Sequence, residues 1–309
     1  MRGVYAGVVL AYVNGELCAP EAARVSPFDR GYLFADGVYE ALRVTMAGAG
    51  AGGDPRVVAP HRHVRRLARS LGALSIPWPA GEMLTVAKQL IEGSRLSEAL
   101  IYFQVTRGVP GLAGRAPQAL RTHVPPAGLT PTVFAFIRPM PRLDTAELAP
   151  PTKRCATGAD VRWLRCDIKS IALLGNVLAS VQAAGAGAEE AILLRSTPRG
   201  RVASEGSLTN LAVVRADGVL MTPALESASI LPGITREILL DNNTDLAEGV
   251  VTEADLRAAR EVMLLGTTAA VTAVTHLDGA PVHDGGAGPI TRRLHAGLME
   301  LVARAREDI

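Results

Sequence analysis

The amino-acid sequence predicts an α+β fold in two domains. Period-two apolar runs stand beside runs of helical spacing in both halves, there is no internal repeat or steady strand-helix alternation, and a proline-rich break divides the chain. A doubly wound nucleotide-binding sheet would need that alternation and is disfavoured.

The apolar run from Val4 to Val13 reads as a strand ended by a turn at Asn14-Gly15. Further strands are expected at 37–45, 99–106 and 132–138. Helices are expected at 61–72, where Val64, Leu67, Ala68 and Leu71 share one face, and at 80–92, where Leu84, Ala87 and Ile91 do. From Pro139 to Pro151 four prolines and no clear period suit a linker followed by a surface strand or turn. The expected division is therefore a small N-terminal domain at 1–138, a linker at 139–145 and a larger C-terminal domain at 146–309. Beyond the linker an apolar helix is expected at 171–184, a strand at 190–195, and a hairpin over 210–222 turning on Ala216-Asp217-Gly218. Ile234 to Asp241 has helical spacing, and Thr252 with Asp255 resembles a capping box. Val262 to Leu265 and Val271 to Thr275 complete the strands.

Apolar residues make up 48% and charged residues 20% of the 309, a globular rather than a disordered composition. The net charge of +2, from 32 basic and 30 acidic side chains, leaves no surplus to neutralise a nucleic acid or an anionic membrane. No apolar stretch reaches the roughly 20 residues of a membrane span, and the start lacks the pattern of a signal peptide. The expectation is a cytoplasmic protein with no nucleic-acid and no membrane partner. Cys18, Cys155 and Cys166 are odd in number and lack a Cys-x-x-Cys pair, so they read as reduced thiols.

Several short patterns are set aside. Gly48 to Gly53 satisfies G-x-G-x-x-G, but Asp54-Pro55 follows where a dinucleotide site needs a helix, so a hairpin loop is the expectation. His61-Arg62-His63 has no further metal ligand at suitable spacing, and no metal site is expected. The arginines of 61–69 read mainly as the solvated face of a helix. Neither G-x-S-x-G nor S-x-x-K occurs.

Only Lys88, Lys153 and Lys169 are lysines, and arginine cannot form a Schiff base. Lys169 lies in WLRCDIKSIALLGNVLAS, a segment of core-seeking side chains in which burial would favour the neutral amine that attacks an aldehyde. A lysine snorkelling from a strand end is the alternative on composition alone.

The segments VNGELCAPEAARVSPFDRGYLFADGVYEALRV at 13–44, HVRRL at 63–67, IYFQVTRG at 101–108, RWLRCDIKSIALLGNVLAS at 162–180, ASEGSLTN at 203–210, ILPGITRE at 230–237 and LLGTTAAVTAV at 264–274 run almost end to end. In this order they resemble the pyridoxal-phosphate transaminases of fold type IV (class IV), and D-amino-acid transaminases most closely. The resemblance implies a small N-terminal α/β sandwich, a larger β-barrel-like C-terminal domain with helices, pyridoxal 5'-phosphate between them, and a homodimer. It implies that Lys169 carries the cofactor as a Schiff base and moves the proton of the reaction. Glu205 would pair with the pyridine nitrogen, where a surface acid beside a turn is the plain alternative. Gly233, Ile234 and Thr235 at a helix start, Arg66, Thr267 and Thr268 would hold the phosphate. Gly266-Thr267-Thr268 also suits a strand end, and Leu231, implied to pack on the cofactor ring, also suits a core.

For substrate, the resemblance implies a carboxylate trap of Arg121 and His123, on a loop lent by the neighbouring subunit, with Tyr39 and Tyr102 beside it. A guanidinium forks onto a carboxylate while imidazole and phenol add directional hydrogen bonds. The segment at 109–120 is longer than the D-specific pattern, which leaves Arg107 and Arg115 as competing candidates, and Leu208 stands where that pattern has serine. The implied reaction is ping-pong transfer of an amino group from a D-amino acid such as D-alanine to a 2-oxo acid such as 2-oxoglutarate or pyruvate. An (R)-amine or branched-chain transaminase, aminodeoxychorismate lyase, and a non-catalytic binding protein are the alternatives.

Overall fold

The computed structural model describes residues 9–46, 54–110, 121–142, 149–198 and 200–304. The glycine-rich stretch at 48–53 and most of the 109–120 segment lie outside the described residues. The chain forms two units, the first holding the described residues to Arg142 together with Ile168–Ala172, the second the remainder. The residues around Lys169 thus belong to the N-terminal unit, although the sequence reading put them in the C-terminal domain.

In the first unit β1 (Leu10–Val13) and β2 (Glu16–Cys18) form a hairpin on Asn14 and Gly15, both at positive φ (48° and 108°) as a tight two-residue turn requires. Short α1 (Arg30–Phe34) is capped by Asp29, whose carboxylate accepts from the Gly31 N–H at 2.7 Å. β3 (Gly37–Thr45), β4 (Arg56–Val57), α2 (Pro60–Leu74), α3 (Glu82–Ser94), β5 (Ala99–Thr106) and β6 (Thr132–Pro139) follow. The six strands pair antiparallel in the order β2-β1-β6-β5-β3-β4. Buried Leu67 and Leu71 of α2, with Met83 and Leu90 of α3, pack on Leu42, Ile101, Phe103 and Ile137, the inward set of the alternating strands. Ile168 joins this core.

The segment carrying Lys169 lies along β3. The Tyr39 N–H donates to the Lys169 carbonyl at 2.9 Å, the Ile171 N–H to Gly37 at 3.2 Å, and Val38 pairs with Ser170. Since the Ile171 N–H is used in this pairing, the helix expected from 171 begins three residues later, as α4 (Leu174–Gly185).

In the second unit β7 (Thr152–Ala159) precedes α4 and pairs parallel with β8 (Glu190–Thr197), one strand-helix-strand crossover the sequence reading did not foresee. β9 (Gly200–Gly206), β10 (Asn210–Val214), β11 (Leu220–Pro223), α5 (Leu225–Ala228), α6 (Ile234–Asn242), β12 (Leu246–Gly249), α7 (Glu253–Arg257), β13 (Glu261–Gly266), β14 (Ala270–Leu277), β15 (Ala280–Pro281) and α8 (Pro289–Arg304) complete it. Thr252 and Asp255 form the expected capping box of α7. The sheet order is β12-β11-β10-β13-β14-β7-β8-β9, with β15 on β14. β10 and β9 are five steps apart in that order, about 24 Å across a flat sheet. Yet only Ser207 to Thr209 join them, a link spanning at most about 14 Å. The sheet must therefore curl, which gives the barrel-like form. Ile192, Leu194, Leu211, Val213, Val262, Leu264 and Val274 fill its interior.

Candidate active site

The three lysines have different surroundings. Lys88 is exposed on α3 opposite Glu92 at 3.8 Å, and Lys153 is bound to the buried Glu190 at 2.7 Å. Lys169 is half-buried, with its Nζ 4.2 Å from the centre of the Tyr39 ring. Ser70 of α2 accepts from the Lys169 N–H at 3.2 Å, so β3 and α2 both fix its backbone.

Strand alternation points Tyr39 and Glu40 to opposite faces of the sheet. On the open face Tyr39 stacks on Tyr102, with ring centres 5.6 Å apart, and Tyr102 stacks on Phe136 at 5.3 Å. Tyr102 donates to Gln104 at 2.7 Å, and burial, with Tyr39 adding to it, raises its hydroxyl above the usual phenol range. On the helix face Glu40 is fully buried and takes a two-pronged ion pair from Arg66, Nε to Oε1 at 2.8 Å and Nη2 to Oε2 at 2.7 Å. His63 adds its Nδ1 at 2.7 Å. Burial acts to raise the Glu40 carboxyl, but Arg66 and His63 outweigh it and hold it far below the usual carboxylate range. Burial lowers His63, opposed by Glu40 and reinforced by Arg66 and Lys169. Arg66 is thus held in one plane by Glu40, one turn of α2 from Ser70.

Arg121 and His123 form a second cluster in this unit. The Phe34 ring lies 5.3 Å from the Arg121 guanidinium and 5.4 Å from the His123 ring. Arg107, the competing candidate, is occupied: it binds Asp36 through Nε at 2.7 Å and Nη2 at 2.9 Å, and donates to the carbonyls of Leu74 and Ser75 at the end of α2. Arg115 lies outside the described residues.

The second unit joins Glu205, Leu231 and Gly233 through a residue the sequence reading did not single out. Asn210 Nδ2 donates to Glu205 Oε2 and to the Leu231 carbonyl, each at 2.9 Å, and the Leu231 N–H donates to the same Oε2 at 3.1 Å. A Cβ on Gly233 would overlap Asn210 Oδ1, so glycine is required by this approach. Gly233 caps α6 without a side-chain hydrogen bond, with Ile234 and Thr235 buried in the first turn. Its uncapped N–H groups suit an anion. Thr267 and Thr268 lie in the turn from β13 to β14, half-buried and exposed respectively. Exposed Leu208 sits in the link after Glu205.

Arg162 is the other residue missed. Its Nη1 binds Glu205 Oε1, while Nε and Nη2 fork onto Asp160, each at 2.9 Å. Arg195 at 2.6 Å and Ser204 at 2.8 Å complete the shell of Asp160. Burial raises the Glu205 carboxyl and Arg162 opposes that rise without cancelling it. Burial lowers Arg162, but Asp160 and Glu205 outweigh it and hold the guanidinium charged. Both Arg162 and Asn210 fall inside segments quoted for the family resemblance, which was the available signal.

Each unit by itself carries donors of a kind that suits part of a phosphorylated pyridine aldehyde: the first an amine and a guanidinium, the second a buried acid, uncapped helix N–H groups and hydroxyls. Among the described residues no group of three His, Cys, Asp or Glu is placed to hold a metal ion, and no helix is long and apolar enough to cross a membrane.

Residues 37–277 match the family model of class IV amino-transferases. The chain is 38% identical over 301 residues to the D-alanine aminotransferase of Listeria monocytogenes serotype 1/2a (strain 10403S), covering 95% of this chain and 96% of that protein. It is 36% identical over 302 residues to the D-alanine aminotransferase of Staphylococcus aureus (strain MSSA476), covering 94% and 97%. The solved branched-chain amino acid aminotransferase of Escherichia coli matches with a TM-score of 0.81 at 26% identity, over 98% of this chain and 96% of that one.

Proposed function

This chain belongs to the class IV aminotransferases, and from that premise we propose that it moves the amino group of a D-amino acid, D-alanine being the reference donor, to a 2-oxo acid in two ping-pong half-reactions. The enzyme uses pyridoxal 5'-phosphate, which supplies an aldehyde that condenses with amines and a ring that withdraws electrons from the substrate Cα.

In this reading Lys169 would hold the cofactor, and its amine would carry the proton from the substrate Cα. Tyr39, with its ring 4.2 Å from the Lys169 Nζ, keeps the lysine close to the sheet. Glu205, buried and anchored by Asn210 and Leu231, holds the proton of the ring nitrogen. The first turn of α6 at Gly233, Ile234 and Thr235, with Thr267, Thr268 and Arg66, binds the phosphate, and Leu231 packs against the ring. Arg121 and His123, with Tyr39 and Tyr102, bind the substrate carboxylate.

The observation that carries D-amino-acid specificity is the pairing of Arg121 and His123 around Phe34, a guanidinium and an imidazole presented from one short segment. The occupied state of Arg107 supports the same assignment. A homodimer, in which the segment serves the neighbouring subunit's site, is supported by the apolar residues that α4 exposes, Leu174, Val177, Leu178 and Val181, at 53–71% exposure. Activity per subunit would then fall on dilution. The cytoplasm is the location proposed with this reading.

The test is the visible spectrum of the holoenzyme with D-alanine and, separately, with L-alanine or L-leucine. Loss of the cofactor band with the D-isomer alone supports the reading. Loss with L-leucine alone would replace it with branched-chain transamination, the activity named for the solved relative.

A further inference from the structure

α1 and the Arg121–His123 segment are joined by two side chains of α1, and the Arg30 contacts span 92 and 93 residues of sequence. Arg30 is 4% exposed and all three arms of its guanidinium are used. Nε donates to Asp36 at 2.7 Å, Nη1 to the Thr122 carbonyl at 2.6 Å, and Nη2 to the His123 carbonyl at 3.0 Å. The backbone N–H of Arg30 donates to the Gly108 carbonyl at 3.0 Å. One residue therefore holds the chain on both sides of the long 109–120 segment. Four residues on, Phe34 carries Arg30 on its ring at 4.8 Å and Arg121 at 5.3 Å, with the His123 ring at 5.4 Å.

We propose that Arg30 and Phe34 form the clamp that sets the position of Arg121 and His123 for carboxylate recognition. The proposal rests on the reading that Arg121 binds the substrate carboxylate. Two carbonyls fixed by one planar fork leave the Thr122 and His123 peptide planes little freedom, so the side chains on either side leave the segment in set directions. Phe34 then offers a ring that the Arg121 guanidinium and the tilted His123 imidazole both approach without using their N–H donors, which stay available to a carboxylate. Asp36 keeps the fork in plane, and its own carboxyl, pushed up by burial but more strongly down by Arg107 and Arg30, stays anionic. A clamp built this way tolerates extra length between residues 109 and 120, because both stems are anchored to α1. Arg30 and Phe34 are positioning residues, since neither is asked to touch substrate.

A double-mutant cycle on the holoenzyme tests this, with KM and kcat for D-alanine measured for Arg30→Gln, Arg121→Ala and the pair. The expected result is a rise in KM of about tenfold for each single variant, with the pair no worse than Arg121→Ala within about twofold. The expected kcat of Arg30→Gln stays within about threefold of the parent, a split that a general loss of structure would not produce. If Arg30→Gln multiplies KM equally in both backgrounds, or leaves it unchanged while Arg121→Ala raises it, the clamp is overturned and the carboxylate reading stands. If Arg121→Ala leaves KM at the parent value, the carboxylate reading fails and the clamp with it. Should Arg30→Gln not fold, Phe34→Leu runs the same cycle with the same outcomes.

Discussion

The Lys169 Nζ lies 4.2 Å from the centre of the Tyr39 ring, and the Tyr39 N–H donates to the Lys169 carbonyl at 2.9 Å, so the two residues are tied by backbone and side chain together. Separating the two contributions is straightforward. Lys169→Ala removes the only amine in this position and should lower turnover at least about a thousandfold. Tyr39→Phe keeps the ring under the lysine and removes the hydroxyl assigned to the substrate carboxylate. It should raise KM for D-alanine by about tenfold and leave the cofactor band unchanged. A Tyr39→Phe enzyme that loses the cofactor band while keeping its KM would reverse that assignment.

Glu205 makes a prediction about pH. Burial raises its carboxyl and Arg162 restrains the rise. The ring nitrogen needs the carboxylate, so activity should fall on the acid side as Glu205 takes up a proton, at a higher pH than an ordinary carboxylate would set. Removing the restraint with Arg162→Gln should carry that acid limb of kcat/KM further up. Glu205→Gln should lose the limb and about a hundredfold in kcat. An acid limb unmoved by Arg162→Gln would mean that another group sets it.

Glu40 and Arg66 give a prediction of opposite sign, for stability. The folded Glu40 carboxyl is held well below its unfolded value, so it stabilises the fold above pH of about 4.3 and loses that contribution progressively as pH falls below it. Glu40→Gln removes the carboxylate that forks with the buried Arg66 and should cost roughly 3 kcal/mol near neutral pH. The stability difference between parent and variant, followed by urea unfolding, should shrink on acidification. A constant gap from pH 7 to pH 3 would show that packing rather than charge supports the pair.

Much of this was legible in the sequence where a local pattern carried the information. Strand alternation marked β3 and β5 to the residue, Asn14-Gly15 and Asp217-Gly218 marked hairpins, and Thr252 with Asp255 marked the start of α7. β7 and β9 were not foreseen, because Thr152–Ala159 mixes Lys153 and Arg154 with small residues and Gly200–Gly206 is bounded by glycines, so neither shows an apolar period. The site divides in the same way. Lys169 stood out because lysines are few, whereas the roles of Arg162 and Asn210 depend on Glu205, 43 and five residues away, and no periodicity encodes such a meeting. Arg30 is the extreme case, with its Thr122 and His123 carbonyl partners 92 and 93 residues along the chain.

Gly233 carries the last prediction, because it couples the helix that would bind phosphate to the acid that would bind the ring. Its φ of −75° is open to any residue, so backbone conformation does not demand glycine. The demand comes from Asn210, whose Oδ1 occupies the space a Cβ would take. Asn210 cannot yield cheaply, since its Nδ2 holds both Glu205 and the Leu231 carbonyl. Gly233→Ala should therefore act at a distance, turning Asn210 away, releasing Glu205 from one donor and lowering kcat more than a cap change alone, which is worth only a few tenths of a kcal/mol to about 1 kcal/mol. Adding Asn210→Ala to Gly233→Ala makes room for the methyl group, so the double variant should be no less stable than Asn210→Ala alone, within about 0.5 kcal/mol. Strict additivity of the two substitutions in both stability and kcat would show that Gly233 and Asn210 act independently.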